Sequence, residues 1–494
     1  MSSKTLFLTG WWILCGVFIA LLSIHVLHIN AYVYDLEGVE QDEVFTLQRV
    51  LAGYPVYENP QEPPFAVTQK TPMYHYLCAC LGHLFGVDPQ EPHQVYQLNR
   101  SVSLGLSLGL LLLAFFIQTR LFAYTRMAAS GICFLIFLCA EMHLFARPDS
   151  LFSFLFLAAI GTMMVYLKTG GQPRYLWLAV GLSALAIFSK QTAIVLPPLV
   201  LGYVLLIERR FGRFIQGALL FIVLFGLLFW LLSAGKPSVF IANVVGGVRN
   251  GIDLGWFFEY IYNASYKKFG LLLILGLLII RSWWDIKGTD PLKSFIAFFL
   301  LFDLIYTHLI ALKWGSTPSY FTEFVNITLI AAPLYFREWL EKEAQPRANR
   351  LEWLVFLLML SLIPVHTSEK GLMAPIFSQQ PEAFAECEQL SAHVKSKYEL
   401  QPGTWVLSDD ELLKLFLFEN ALLPQDDILY SIYLYGDYDN SRYVALMQSG
   451  QVPLVISRHP LKELEANEFY MCDDLSAYRP LEEVAGFVIY GLGD

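Results

Sequence analysis

The sequence predicts an α-helical polytopic membrane protein, of about 11 transmembrane helices, with a small C-terminal α/β domain in water. Three observations predict it. The 494 residues are 56% hydrophobic and only 15% charged, with mean hydropathy +0.49, whereas soluble domains run at about 25% charged. Apolar runs able to cross roughly 30 Å of hydrocarbon recur through about the first three quarters of the chain and then stop. The basic residues fall in alternate connections between those runs.

Spans are expected near 8–32, 100–120, 127–145, 150–167, 175–190, 192–207, 214–234, 268–282, 294–312, 319–337 and 351–366. No cleavage pattern follows the first run, so Thr5 to Val33 reads as a retained span. The 72–87 segment is apolar but short and is expected to lie in the interface. Lys4, Arg120, Arg126, Lys168, Arg174, Arg209, Arg213, Arg281, Lys293 and Arg337 mark the cytoplasmic connections. Loops 33–99 and 235–267, and everything after His366, are then extracytoplasmic. An odd span count with the N-terminus inside places the C-terminal domain on the same side as loop 33–99. The net charge of −10 and the scatter of basic residues among short loops give no reason to expect a nucleic-acid partner.

The domain boundary is expected at 366/367, with residues 1–366 in the membrane part and 367–494 in the tail. In that tail a helical pattern over Glu382–Lys397 is followed by strand-like Trp405–Ser408, helical Asp410–Phe418, helical Ser441–Met447 and strand-like Pro453–Ser457. The alternation argues for a small α/β domain. It shows no phosphate-binding glycine loop and no catalytic triad spacing, so packing or acceptor docking is expected of it. Of seven cysteines, Cys15, Cys78, Cys80, Cys133 and Cys139 lie in apolar segments and read as core. Cys387 and Cys472 are the pair in the tail, where an oxidising compartment would allow a disulfide.

Loop 33–99 carries the chemistry-bearing residues. It opens with Asp35, Glu37, Glu40, Asp42 and Glu43 and reaches Lys70-Thr71-Pro72-Met73-Tyr74. Acids crowded at the mouth of a span are costly unless water, a cation or a substrate meets them. A transfer from a lipid-linked sugar phosphate needs a carboxylate as general base for the acceptor hydroxyl. It also needs positive charge where the leaving phosphate develops. This loop offers both. The plainer readings are a solvated outward loop for the acids and a headgroup anchor for Lys70.

The run Glu37-Gly38, Asp42-Glu43, Leu51-Ala52-Gly53-Tyr54-Pro55-Val56-Tyr57 and Lys70-Thr71-Pro72-Met73-Tyr74-His75-Tyr76 resembles the first outer loop of the GT-C glycosyltransferases. The likeness is to the branch holding the protein O-mannosyltransferases and the lipid A aminoarabinose transferase. It continues through Asn99-Arg100, Arg147-Pro148-Asp149, Phe188-Ser189-Lys190-Gln191-Thr192 and Ser319-Tyr320-Phe321-Thr322-Glu323, over about the first 340 residues. The family's acid falls at the end of the first span, which implies Glu37 or Asp35 as base, with Asp42 and Glu43 as helix-borne alternatives. Thr71 stands where the family has a proline.

The resemblance implies that Lys70, Arg147 and Lys190 hold the donor phosphate, and that Tyr74, Asp149, Tyr320 and Glu323 line the substrate. For Arg147 with Asp149 a capping ion pair stays open, for Lys190 a structural ion pair, and for Tyr320 and Glu323 an interfacial role. Asp303 and His308, in one span, are expected to hydrogen-bond to each other. Ser282-Trp283-Trp284-Asp285 is similar to the oligosaccharyltransferase Trp-Trp-Asp motif but falls on the cytoplasmic side, and reads as an aromatic anchor.

The resemblance thus implies an inverting glycosyltransferase with a GT-C-like membrane domain. It would use a polyprenyl-phosphate sugar donor and a lipid, glycan or protein acceptor, on the outer face of a bacterial inner membrane. No metal-ligand set is assigned; a divalent cation, Mg or Mn, stays open because some GT-C branches use one. The alternative is a transporter or flippase of lipid-linked sugars. Such proteins tend to show paired repeats and broken spans, and neither is evident.

Overall fold

A run of apolar residues without proline from Ser3 to Ile29 winds into helix α1. The same logic, apolar runs punctuated by Pro, Gly and charge, produces the helices that follow. The computed structural model describes residues 3–34, 40–139, 145–286, 288–341, 353, 355–363, 379–435, 438–471 and 474–493. These form two compact units. One holds residues 1–28, 103–228 and 252–374; the other holds 29–102, 229–251 and 375–494.

The first unit is helical. Besides α1 it contains most of α4 (Pro92–Phe116), α5 (Arg126–Cys139), α6 (Asp149–Lys168), α7 (Pro173–Ser189), α8 (Leu196–Leu206) and α9 (Phe211–Leu232). A short helix, Pro237–Val244 (α10), belongs to the second unit. The first unit resumes with α11 (Asn263–Ile286), α12 (Pro291–Ala311) and α13 (Thr322–Glu341). Among the described residues six helices are long and apolar enough to cross a membrane: Leu8–Ile29, Pro92–Leu121, Asp149–Lys168, Phe211–Leu232, Leu254–Ile286 and Pro291–Ala311. Shorter apolar helices stand at Arg126–Cys139, Pro173–Ser189 and Gln191–Leu206, where three further spans were expected. The protein is a multi-pass membrane protein. In α9 only Gly217 is buried, and Ile222, Val223, Trp230 and Leu231 lie open. A helix apolar on all sides that buries nothing in protein is solvated by lipid.

In the second unit, helices α2 (Glu40–Leu51) and α3 (Met73–Phe85) come from the outer loop. Helix α3 packs on α2, and α2 packs with the C-terminal segment, which contributes α14 (Pro381–Lys397), α15 (Glu411–Phe416), α16 (Asp426–Leu434), α17 (Ser441–Gln448) and α18 (Leu461–Ala466). Its strands are β1 (Val406–Ser408), β2 (Ala421–Leu422), β3 (Leu454–Ser457), β4 (Tyr478–Val484) and β5 (Phe487–Leu492). The sheet order is β2-β1-β3-β5-β4, parallel across the first three, with β5 antiparallel to both its neighbours. Ala485 and Gly486 both have positive φ, as a two-residue turn between twisted strands requires.

The chain divides at 374/375, and the outer loop groups with the tail. The reason is visible in its bonds. Gln48 Nε2 donates to Leu415 O (3.1 Å) and Arg49 Nη1 to Phe418 O (3.1 Å). Leu423 N donates to Pro64 O (2.9 Å) and Val67 N to Gln425 Oε1 (2.9 Å). Phe65 and Val67 lie in one apolar core with Leu407, Leu422, Tyr443 and Val455. Helix α10 clamps the loop from another side, with Asn243 bridging Thr68 N (2.9 Å) and Glu58 O (2.7 Å). Gly247 follows it, where a Cβ would stand 2.7 Å from Val67 Cγ1, so only glycine allows the approach.

Lys414 is buried between Glu411 (2.8 Å) and Asp426 (3.1 Å). Burial, outweighing the pull of Lys414, pushes the Glu411 carboxyl up from 4.5 to about 7. A carboxyl raised in the fold makes the native state bind more protons than the unfolded chain between those values, so its ionisation erodes stability as pH rises. Glu411→Gln should therefore flatten this part of the profile. Thermal midpoints at pH 5 and pH 7.5 check it: the wild type loses more between them than the variant.

Candidate active site

Asp35 and Glu37 lie outside the described residues. Their flanks, however, are fixed by one side chain. Arg100, from the third turn of α4, is 1% exposed and forks onto Glu40, with Nη2 to Oε2 at 2.7 Å and Nε to Oε1 at 3.2 Å. Its Nη2 also donates to Val33 O (2.8 Å) and its Nη1 to Ala31 O (3.1 Å). The Tyr96 ring covers the guanidinium at 4.7 Å. A buried charge is tolerable only when paired and fully hydrogen-bonded, and here each bond is spent on the chain just before or just after residues 35–39. Sequence reading noted Asn99-Arg100 as part of the resemblance but gave Arg100 no role; a lone arginine opening an apolar span was the available signal.

On α2, Glu43 Oε2 stands 2.9 Å from His75 Nε2 of α3, and both are buried. Asp42, on the next face, turns toward the C-terminal acids. Burial first, then the charges of Asp427, Glu411 and Glu43, hold its carboxyl well above the usual range. Lys70 sits in the bend before α3, and its carbonyl accepts from Tyr57 OH (2.8 Å). Tyr74 is fully buried and donates to Asn99 O (3.1 Å), tying α3 to α4.

In the helical unit the remaining expected residues come together. Helices α6 and α7 form a hairpin whose open end joins Asp149, in the first turn of α6, to Lys190, just past α7. Each charge stands where the helix dipole favours its sign. Lys190 Nζ donates to Asp149 Oδ1 at 2.6 Å, and Arg147 Nε lies 3.5 Å from Asp149 Oδ2. The Lys190 ammonium also faces the rings of Tyr320 (5.1 Å) and Phe152 (5.5 Å). Ser153 donates to Glu323, which is 7% exposed. Lys190, Asp303, Tyr320 and Glu323 line a cavity of about 20 Å³, room for a single water.

The expected Asp303–His308 bond is not made. Five residues on a helix turn side chains about 140° apart, and His308 instead meets Tyr266 OH (3.1 Å) and Leu304 O (2.7 Å). Trp283 of the Trp-Trp-Asp stretch donates its indole N–H to Ser294 (3.2 Å), a packing contact. Cys472 lies outside the described residues, and so therefore does its expected pairing with Cys387. Among the described residues no three His, Cys, Asp or Glu side chains stand together as metal ligands.

A polytopic helical unit and a small α/β unit that takes in the first outer loop make up the fold. The solved structures agree. ArnT from Cupriavidus metallidurans, bound to undecaprenyl phosphate, superposes with a TM-score of 0.61 at 13% identity, over 98% of each chain. Its apo form gives 0.62 at 14% identity, again over 98% of each. The Archaeoglobus fulgidus oligosaccharyltransferase in apo form gives 0.56 at 12% identity, over 89% of this chain and 69% of that one. By sequence, no family model and no characterised protein matches. At these identities the likeness establishes the fold.

Two outcomes test the site. Arg100→Lys keeps the charge but loses the two-pronged grip; the protein should still fold, with turnover at least about tenfold lower. Lys190→Met leaves Asp149 with less compensation and should cost about 3 kcal/mol, judged by thermal midpoint. Adding Asp149→Asn should restore the midpoint but not turnover. Recovery of both would make Lys190 purely structural.

Proposed function

We propose that this protein is an inverting glycosyltransferase that moves a sugar from a polyprenyl-phosphate donor to an acceptor hydroxyl. The observation that carries the reading is the buried Arg100–Glu40 pair, which ties Ala31 and Val33 to the first residue of α2, in a stretch whose sequence is rich in carboxylates. The GT-C fold, and a structural neighbour whose solved form holds undecaprenyl phosphate, support the choice of donor. Glu37 or Asp35 accepts the proton of the attacking hydroxyl. The polyprenyl phosphate leaves without a general acid, its charge met by Lys70, Arg147 and Lys190. Glu43 with His75 braces the loop, Asp42 is the alternative acid, and Tyr320, Asp149, Glu323 and Tyr74 shape the sugar site around the reacting groups. A lipid, glycan or protein hydroxyl on the extracytoplasmic face of a bacterial inner membrane serves as acceptor. Dependence on Mg or Mn is read directly by chelation and add-back, prompted by the archaeal neighbour's complex with Zn and sulfate.

The double variant Asp35→Asn/Glu37→Gln should be expressed in membranes at wild-type level yet consume no polyprenyl-phosphate sugar in detergent. Full turnover in that variant would sink the assignment. A transporter would leave the donor unhydrolysed and untransferred in detergent, wild type included.

A further inference from the structure

One edge of the α/β unit turns apolar side chains away from protein, and no residue assigned to transfer lies on it. Helix α16 closes with Tyr433 and Leu434, capped by Tyr435, and all three are exposed, Leu434 by 58%. Short helix α10 does the same along one face. Ile241, Ala242 and Val245 recur at three- and four-residue spacing and lie open, while Phe240, Asn243 and Val244 are buried on the opposite side. Single exposed apolar residues are ordinary; a group of them on neighbouring elements marks an interaction surface. The two elements are neighbours. Helix α16 packs against the turn Gly246–Val248 that follows α10. The Tyr435 ring comes so close to Gly251 that a Cβ there would stand 2.2 Å from its Cε1.

The chain that leads into this edge shows what covers it. The last turn of α9, a helix long and apolar enough to cross a membrane, belongs to the same unit. Its Trp230 and Leu231 lie open there, with lipid as their solvent. Helix α10 starts at Pro237 and is tied to that turn by Phe240 against Phe229, ring centroids 5.2 Å apart. The apolar surface therefore passes from α9 to α10 and on to the end of α16. A helix apolar on one face, directly after a span, lies in the interface plane. Two tyrosines flanking a leucine suit the same layer, rings against acyl chains and hydroxyls among headgroups. Charge is not the attraction. Lys236 and Arg249 flank α10, but Glu465, Glu468 and Asp474 line a cleft together with Tyr433 and Leu434, so the edge offers no one-signed field to anionic lipid.

We propose that Ile241, Val245, Tyr433, Leu434 and Tyr435 seat this edge of the α/β unit in the headgroup layer of the leaflet that the end of α9 reaches. The partner is bilayer lipid, and apolar and aromatic burial holds it. The seating has a consequence for the first outer loop. Asn243, on the inward face of α10, bonds Thr68 N and Glu58 O, so the depth of α10 sets the depth of that loop. None of this rests on the transferase reading.

The test attaches a fluorophore, through a non-canonical azido residue, at Leu434 and separately at Ile241 of the full-length protein in phosphatidylcholine vesicles. Thermal midpoints check that each variant is folded, and a label at Tyr433 replaces either one that is not. The same label at Leu231, on α9, sets the value for a position in lipid. Lipid carrying a nitroxide near the top of its chain should quench both labels as it does the one at Leu231, and aqueous iodide should leave them bright. Adding phosphatidylglycerol should change neither result. Quenching by iodide and not by nitroxide lipid would overturn the proposal by placing the edge in water. Protection from both quenchers would overturn it as well, making the edge an interface with protein, a second copy included. Nitroxide quenching that requires phosphatidylglycerol would refute apolar burial as the force that seats it.

Discussion

The structure around the first outer loop depends on one buried charge pair. Arg100 and Glu40 are almost wholly removed from solvent, a state that costs several kcal/mol per ion unless every donor is used. The guanidinium meets that cost with two bonds to the carboxylate and two to backbone carbonyls of residues 31 and 33. The geometry has a consequence for placement. The chain leaving α1 and the first residue of α2 are held by the same planar group.

The second outer segment and the tail extend this constraint. Residues 58–69 take partners from outside the loop, from Asn243 and Gly247 on one side and from Gln425 and the Pro64–Leu423 pairing on the other. Backbone groups buried without partners are expensive, and these bonds satisfy several of the loop's own. The small α/β domain is thereby a scaffold for the loop.

Within the helical unit a different economy operates. Lys190, Asp149 and Arg147 are brought to one end of a helical hairpin, with Tyr320 and Glu323 from the start of α13 closing over them. Charges at the ends of apolar helices stay near water, and helix dipoles favour an acid at an N-terminus and a cation at a C-terminus. The arrangement stands as a buried ion-pair cluster.

Much of this was written in the residues. The apolar runs determine helices and membrane residence, because no other backbone arrangement satisfies its hydrogen bonds in hydrocarbon. Strand β1, strand β3 and the helices near 382–397 and 441–447 were legible from local pattern, as was the helix following Lys70. Helix α10 and the β4–β5 hairpin were not: the first is short and sits in a stretch read as loop, and Tyr478–Val484 lacks clean alternation. Nor could periodicity reveal that Arg100 reaches back 60 residues to Glu40, that His75 faces Glu43, or that the first outer loop shares a core with a segment more than 300 residues later. Local pattern reports the solvent each segment prefers. Which buried charge meets which partner is decided by desolvation in the assembled fold, and only tertiary structure expresses that.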